Sequence, residues 1–206
     1  HRMRGATLRL ETTIRTVERR AEEFVVATDR GAVAGRQIVI ATGGRSIPKM
    51  GATGVGYDIA TQFGLGIVAP RAGLVPLTFA QQDLDLCKPM SGLSLQAEVN
   101  HGSTRAATRF RDGLLFTHRG LSGPAILQIS SFWQPGETIS ANLLPDCDVG
   151  AALREMRGQG GRIAVSTALS RLLPARLAEA ISTELNLNEA RLADQQNRRL
   201  DEIAAR

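Results

Sequence analysis

The sequence is poor in the residues that mark several classes of protein. Its two cysteines, Cys87 and Cys147, lie too far apart for a zinc motif and are too few for a disulfide framework. Lysine occurs twice, and aromatic residues make up 4% of the chain. No apolar run approaches the roughly 18 residues that a membrane span requires. These absences predict buried cysteines, no metal site, no membrane partner and a cytoplasmic location.

The overall composition is that of a folded globular chain. Apolar residues make up 43% and charged residues 22% of the 206 residues, which excludes a disordered chain, a collagen-like fibre and a coiled coil. This length corresponds to one domain or one and a half. The first residue is His1 rather than methionine, so we expect either that a leading segment was removed or that the chain is a segment of a longer protein.

The net charge of +5 is distributed along the chain. Basic and acidic residues number eleven and six in 1–80 (+5), five and seven in 81–150 (−2), and nine and seven in 151–206 (+2). A nucleic-acid-binding domain usually concentrates its basic residues in one stripe, and base stacking requires aromatic side chains. The spread charge and the few aromatic residues therefore predict no nucleic-acid partner.

The N-terminal part has the pattern of β-structure. Apolar residues alternate with polar ones from Leu8 to Ile14, which predicts a strand with one buried face. A second strand is predicted over Phe24–Thr28. The β-branched run Gln37–Ala41 is typical of a strand buried on both faces, and it ends in Thr42-Gly43-Gly44.

The rest of the chain changes from strands to helices. After a short helix over Tyr57–Phe63, short strands are predicted over 67–68, 74–79, 93–99 and 114–116, as in an antiparallel sheet or small barrel. A helix is predicted to begin with Ser122 as its N-cap and Pro124 in its first turn. A strand over 138–144 and a helical tail follow. The predicted fold class is therefore α+β.

Two glycine-containing segments are candidates for a cofactor site. Gly43 and Gly44 follow a strand, where backbone without side chains either approaches a flat cofactor or simply makes a tight turn. Gly54 and Gly56 resemble the start of a dinucleotide fingerprint, but Ile59 occupies the place of its third glycine. The residues alone leave both interpretations open.

A third segment contains a candidate proton-transfer group. His118 follows an apolar run and precedes the predicted start of a helix at Ser122-Gly123-Pro124. A histidine exchanges protons near neutral pH, and the first turn of a helix offers N–H donors. Equally, Ser122 could only cap the helix and His118 could lie on the surface.

Three ordered motifs carry a resemblance to a known family. The segments ATGGRSIPKMGATGVGYDIATQFG, APRAGLVPLTF and FTHRGLSGPAILQISS resemble the NAD(P)/FAD-dependent oxidoreductases of the BaiN/RdsA type. The Ala-Thr-Gly-Gly turn is also similar to that of the flavoprotein subunits of fumarate reductase and succinate dehydrogenase. In those subunits an aspartate lies between the later glycines, where this chain has Val55.

The resemblance implies the central part of a flavoprotein, without the N-terminal phosphate-binding glycine motif or the C-terminal FAD segment. Residues 1–66 would be part of an FAD-binding domain and residues 67–206 an inserted domain. FAD would transfer hydride between NAD(P)H and a small organic substrate. The alternative is a non-enzymatic interaction module. The residues implied to contact the cofactor are Ile14, Thr42, Gly43, Gly44, Gly54 and Gly56; Ser122 and Gly123 would face the substrate, and His118 would be catalytic.

Overall fold

A computed structural model describes residues 5–46, 53–102, 107–160 and 162–205. The chain divides into two compact units, His1–Arg71 and Ala72–Arg206. Residues 47–52, in the middle of the first family-like motif, lie outside the described residues.

The first unit contains a three-stranded antiparallel meander and one helix. Its elements are β1 (Ile14–Arg20), β2 (Glu23–Thr28), β3 (Gly31–Gly35) and α1 (Val55–Gln62). The Thr13 amide donates to Asp29 Oδ1 at 2.9 Å, and the Thr28 hydroxyl donates to the Gly31 carbonyl at 2.6 Å, which stabilises the turn between β2 and β3. The Phe24 and Phe63 rings meet edge to face at 5.7 Å, so the C-terminal end of α1 packs on the meander.

The first strand differs from its prediction. The segment before Ile14 pairs with no strand among the described residues, and Leu8 and Leu10 are 70% and 68% exposed. The turn after Arg20, with Ala21 at φ 52°, places Arg20 opposite Glu23 and thereby fixes the register of β1. Alternation over Leu8–Ile14 therefore predicted strand character too early in the chain.

The apolar run Gln37–Ala41 also differs from its prediction. It forms no strand in the structure, and Val39 and Ile40 are 86% and 39% exposed. A strand buried on both faces requires neighbouring strands and covering helices. Within the described residues of this unit the meander is the single sheet, and β3 ends before the run begins.

The second unit is built on a five-stranded antiparallel sheet with the order β4-β7-β6-β5-β8. The long hairpin of β5 and β6 forms its centre, with Val99 opposite Phe110 and Leu95 opposite Leu114. Its strands are β4 (Leu77–Thr78), β5 (Ser94–His101), β6 (Thr108–Thr117), β7 (Gly120–Ser122) and β8 (Ile139–Asn142).

Helices pack with this sheet around one apolar core. They are α2 (Gln81–Cys87), α3 (Pro124–Ile129), α4 (Val149–Gly158), α5 (Val165–Leu169), α6 (Ala175–Glu184) and α7 (Asn197–Ala204). Val99 and Leu114 of the sheet share the core with Ile126 of α3 and Leu153 of α4, and all four are fully buried. Burial of each such side chain stabilises the fold by roughly 1.5–3 kcal/mol.

Three further local predictions are wrong. Ile67–Val68 forms no strand, and 74–79 contributes only the two residues of β4. Ser122 is not the N-cap of α3, because it pairs with Leu115 as the last residue of β7. Gly123 is the N-cap, with φ 92°, and Pro124 occupies the first helical position as predicted.

Several chemical features of the described residues complete this picture. Cys87 is buried in the core, and Cys147 is half-buried. Within the described ranges, no group of three or more His, Cys, Asp or Glu side chains is arranged to hold a metal ion. In the same ranges, the helices are too short or too polar to cross a membrane.

Candidate functional site

The Ala-Thr-Gly-Gly turn lies against the N-terminal end of α1. A Cβ atom at Gly56 would lie 2.6 Å from Thr42 Oγ1 and 3.2 Å from Ile40 Cγ2, and one at Gly44 would lie 3.6 Å from the Tyr57 hydroxyl. The turn and the helix thus approach closely because Gly56 has no side chain, whereas the distance at Gly44 is an ordinary van der Waals contact. The structure brings together Thr42, Gly44 and Gly56, three of the residues predicted to contact a cofactor.

Gly43 is the open position of this turn. Its φ is 73°, a conformation that favours glycine, and a Cβ atom there would meet nothing within 4 Å. Gly43 therefore presents bare backbone to open space beside the start of α1. Such a surface suits the close approach of a flat or extended ligand, and in this respect the turn fits a dinucleotide cofactor.

Arg45 adds a cation that the sequence analysis missed. Its guanidinium carbon lies 5.6 Å from the centroid of the Tyr57 ring. A Cβ atom at Gly54, the N-cap of α1, would lie 2.5 Å from Arg45 Nη2. A guanidinium beside the positive end of a helix dipole favours an anionic group such as phosphate. The signal was an arginine directly after a Gly-Gly turn.

Ile14 lies elsewhere in the first unit. It begins β1, pairs with Thr28 and is 46% exposed. The meander contacts the opposite end of α1, where Gln62 Nε2 donates to the Val17 carbonyl at 2.7 Å. The predicted contact of Ile14 with the cofactor stays a prediction.

His118 occupies the tip of a tight hairpin. With Arg119 it forms the two-residue loop between β6 and β7, and both side chains are exposed. The Thr117 hydroxyl donates to the Gly120 carbonyl at 3.0 Å and accepts from the Arg119 amide at 3.2 Å, which stabilises the loop. The imidazole is accessible to a substrate, and its catalytic role stays a prediction.

Ser122 and Gly123 lie at the other end of β7. This strand, which is roughly 10 Å long at about 3.3 Å per residue, lies between them and the loop that contains His118. A Cβ atom at Gly123 would lie 2.5 Å from the Gly113 carbonyl oxygen and 2.9 Å from the Leu115 nitrogen. Gly123 is thus required for the close approach of α3 to β6, whether or not it also contacts a substrate.

The structure also shows polar groups that the sequence analysis did not single out. His101 Nε2 lies 2.8 Å from Glu137 Oε2, although 36 residues separate the two along the chain. Asn100 Oδ1 is a buried side-chain oxygen without a hydrogen-bond partner among the described residues. It lines a cavity of about 420 Å³ beside β8. No sequence spacing indicates these contacts, because they depend on the pairing of β5 with β8.

Two relatives match most of this chain. A protein named "Ribosomal RNA dihydrouridine synthase" from Escherichia coli (strain K12) is 40% identical over 197 residues, which cover 93% of this chain and 48% of the relative. A protein of the same name from Haemophilus influenzae is 38% identical over 179 residues, which cover 85% and 44%. The chain therefore spans about half the length of these relatives.

The names of the relatives correct one prediction. Both are named for ribosomal RNA, which overturns the prediction of no nucleic-acid partner. That prediction rested on charge summed over long stretches and on the low aromatic content. Neither quantity reports where arginines cluster on a folded surface.

The family assignment covers the whole chain. Residues 1–121 match the family described as the HI0933-like protein Rossmann domain, and residues 71–206 match the HI0933-like protein barrel and H2TH domain. The predicted α+β fold class and the BaiN/RdsA-type resemblance are thereby confirmed. The chain belongs to the HI0933-like family.

Proposed function

We propose that this chain is the central part of a flavin-dependent enzyme that reduces uridine to dihydrouridine in ribosomal RNA. The observation that carries the proposal is the convergence of Thr42, Gly44 and Gly56 at the start of α1, in a chain that is 40% identical to a relative of that name. FAD is the proposed cofactor and NAD(P)H the proposed electron donor.

The reaction requires one hydride and one proton. FAD, when bound, would supply the hydride after its reduction by NAD(P)H. In dihydrouridine formation, the C5–C6 double bond of uracil accepts this hydride and a proton, and NAD(P)H is oxidised to NAD(P)⁺. The protein must therefore bind the cofactor, orient the base and deliver a proton.

We assign cofactor binding to the turn against α1. Gly43 leaves backbone open, and Arg45 with the N-terminal end of α1 provides positive charge for a phosphate group. Thr42 and Gly56 contribute by close packing that fixes the turn. We propose that Gly54 belongs to this set because it is the N-cap of α1 and lies directly beside the Arg45 guanidinium.

We assign proton delivery to His118. Its imidazole is exposed on a short loop that hydrogen bonds of Thr117 hold in place. An accessible imidazole donates and recovers a proton near neutral pH. Ser122 and Gly123 are proposed to line the place of the base, as the family resemblance implies.

We further propose that residues 1–66 are one part of an FAD-binding domain and that residues 67–206 form its inserted domain. The relatives are about twice as long as this chain. The exposed run Gln37–Ala41 has the composition of an inner strand, and neighbouring strands of a larger sheet would bury Val39 and Ile40.

A chimeric protein tests this function. The matching segment of the Escherichia coli relative is replaced with the 206 residues of this chain and expressed in a strain lacking that relative. We expect flavin absorbance at about 450 nm in the purified chimera and restored dihydrouridine in ribosomal RNA. A flavin-loaded chimera that forms no dihydrouridine would contradict the proposed reaction, and a folded but colourless chimera would contradict the proposed cofactor.

Two substitutions in the chimera separate the assigned roles. Gly56→Val displaces Thr42 and should lower flavin content, whereas Gly66→Val is its control, because a Cβ atom at Gly66 meets nothing within 4 Å. His118→Gln should retain flavin and lower dihydrouridine formation by roughly 10²-fold or more, with a changed pH profile. Equal flavin loss in both glycine variants would contradict the assignment of cofactor binding to the turn. An unchanged pH profile would contradict the assignment of proton delivery to His118.

A further inference from the structure

One stretch of the helical region contains arginines and no carboxylates. Residues 156–178 include four arginines, Arg157, Arg162, Arg171 and Arg176, and no Asp or Glu. This local charge of +4 disappears in the sum of +2 over 151–206, because acidic residues lie on both sides of the stretch.

Backbone pairing adds another arginine to this stretch. Ala164 and Arg191 form an antiparallel bridge, with the Leu192 amide donating to the Ile163 carbonyl at 2.9 Å. Arg191 therefore lies beside the segment that begins at Arg162 and leads into α5. Arg171 follows the other end of α5, which is five residues or about 7.5 Å long. The Cα atoms of Arg162 and Arg171 are thus no more than roughly 25 Å apart.

Three of these arginines are exposed and have no partner among the described residues. No ion pair or hydrogen bond engages the guanidinium groups of Arg162, Arg171 and Arg191 within those ranges. Elsewhere in the helical region, Arg154 pairs with Asp201, and Arg199 pairs with Glu202. The three guanidinium groups accordingly keep all their N–H donors for an external acceptor.

The other two arginines of the stretch, Arg157 and Arg176, donate hydrogen bonds within the second unit. Arg157 donates to the Gln195 carbonyl and to Asn197 Oδ1, both at 2.6 Å, and so ties the segment after Arg191 to α4. Arg176 donates to the Pro89 carbonyl at 3.2 Å. Beneath the exposed arginines, α5 is anchored by the buried side chains of Val165 and Leu169.

We propose that Arg162, Arg171 and Arg191 form a surface, here called the α5 arginine surface, that binds the sugar–phosphate backbone of RNA. Guanidinium groups bind phosphate oxygens in bidentate geometry, which favours arginine over lysine at such contacts. Phosphate contacts position a nucleic acid without reading its sequence. This inference rests on the proposed function, and it names the part of the chain that holds the RNA while another part carries out the reduction.

The test measures RNA binding without turnover. Fluorescence anisotropy of the 206-residue chain is recorded with a fluorescein-labelled single-stranded 30-nucleotide RNA, and retention on a filter with deproteinised ribosomal RNA. The variant combines Arg162→Gln, Arg171→Gln and Arg191→Gln. Its matched control combines Arg20→Gln, Arg30→Gln and Arg111→Gln, which remove the same charge from arginines paired with Glu18, Glu11 and Asp146.

Loss of three phosphate contacts should reduce the slope of log K against log salt by about 2 and weaken binding about 100-fold at 0.1 M salt. The control should weaken binding less than about threefold, since distant charges are screened. Unchanged melting temperatures would show that both variants are folded. Equal weakening of RNA binding in both variants would overturn the proposal that the α5 arginine surface binds RNA. Binding by the unmodified chain that does not depend on salt would overturn it as well.

The result is separable from the proposed function. Dihydrouridine formation by the chimera together with normal RNA binding by the Arg162, Arg171 and Arg191 variant overturns the surface and leaves the enzyme activity standing. Selective loss of RNA binding together with a flavin-loaded chimera that forms no dihydrouridine supports the surface and contradicts the activity.

Discussion

The two units of this chain bury their apolar residues to different extents. Among the described hydrophobic residues of the first unit, Val17 and Ile59 are buried, whereas Val39 and Val68 are 86% and 93% exposed. The second unit has one continuous core that includes both its sheet and its helices. Similar apolar sequences therefore have different surroundings in the two units.

The difference follows from the kind of sheet in each unit. In the second unit, hairpins supply each strand with a partner close along the chain, as β5 and β6 do. In the first unit, the three strands of the meander pair with one another. The run Gln37–Ala41, in contrast, has the composition of an inner strand of a parallel sheet. Parallel strands pair with distant segments, so this run depends on residues outside its neighbourhood.

The largest expected effect comes from truncating an apolar side chain in each unit. Leu114→Ala should lower the free energy of unfolding of the second unit by about 2–5 kcal/mol, because Leu114 is fully buried and leaves a cavity. Val39→Ala should change stability by less than about 0.5 kcal/mol, because Val39 is 86% exposed. Urea denaturation followed by circular dichroism measures both values.

A large loss of stability in the Val39→Ala variant would contradict the difference between the two units, since it would mean that Val39 is covered in solution. The same substitution in the longer chimera should cost more than in this chain if neighbouring strands cover the run there. An equal, small cost in both proteins would contradict the proposal that Gln37–Ala41 is an inner strand of a larger sheet.

Local patterns predicted most elements of the second unit and fewer of the first. The alternation from Leu93 to Val99 predicted β5, because one face of that strand lies in the unit's own core. Gly31–Gly35 was not predicted as a strand because glycine and alanine give no periodic signal, and pairing with β2 decides its structure. The composition of Gln37–Ala41 favours a buried strand, but it does not show which segments of the chain would pair with that strand.

The candidate site shows the same limit. The family resemblance implied cofactor contacts for Thr42, Gly44 and Gly56, and the structure brings these residues into one cluster, while the contacts themselves stay a prediction. Arg45 was missed because its place over the start of α1 depends on how the turn packs. The pairing of Arg191 with Ala164 was beyond prediction for a related reason, since it joins two segments that have no regular pattern.

A smaller effect is expected from adding one methyl group at a glycine in each unit. Gly123→Ala should destabilise the second unit by about 1–3 kcal/mol beyond the backbone cost, because its Cβ would lie 2.5 Å from the Gly113 carbonyl. Gly43→Ala should cost only about 1 kcal/mol, since φ is 73° but the space is open. Thermal unfolding of the two variants measures the difference.

Equal costs for Gly123→Ala and Gly43→Ala would contradict the close contact between α3 and β6. A Gly43→Ala cost well above that of Gly123→Ala would show that the Ala-Thr-Gly-Gly turn is packed on both sides. In that case its backbone would not be open to a cofactor. The pair thus tests the packing of one unit and the openness of the other.

The smallest expected effect concerns a surface carboxylate on α7, in the well-packed unit. The hydrogen bond from Arg199, 2.9 Å from Glu202 Oε2, lowers the pKa of Glu202 below its ordinary value of 4.5. A carboxylate with a lowered pKa in the folded state stabilises that state above pH 4.5, and this contribution is lost as the pH falls through the lowered pKa. Glu202→Gln should therefore lower the melting temperature slightly at neutral pH and not at all in strong acid. Melting curves from neutral to acidic pH measure this convergence, and a difference that persists at the acidic end would show that Glu202 acts through packing rather than through its charge.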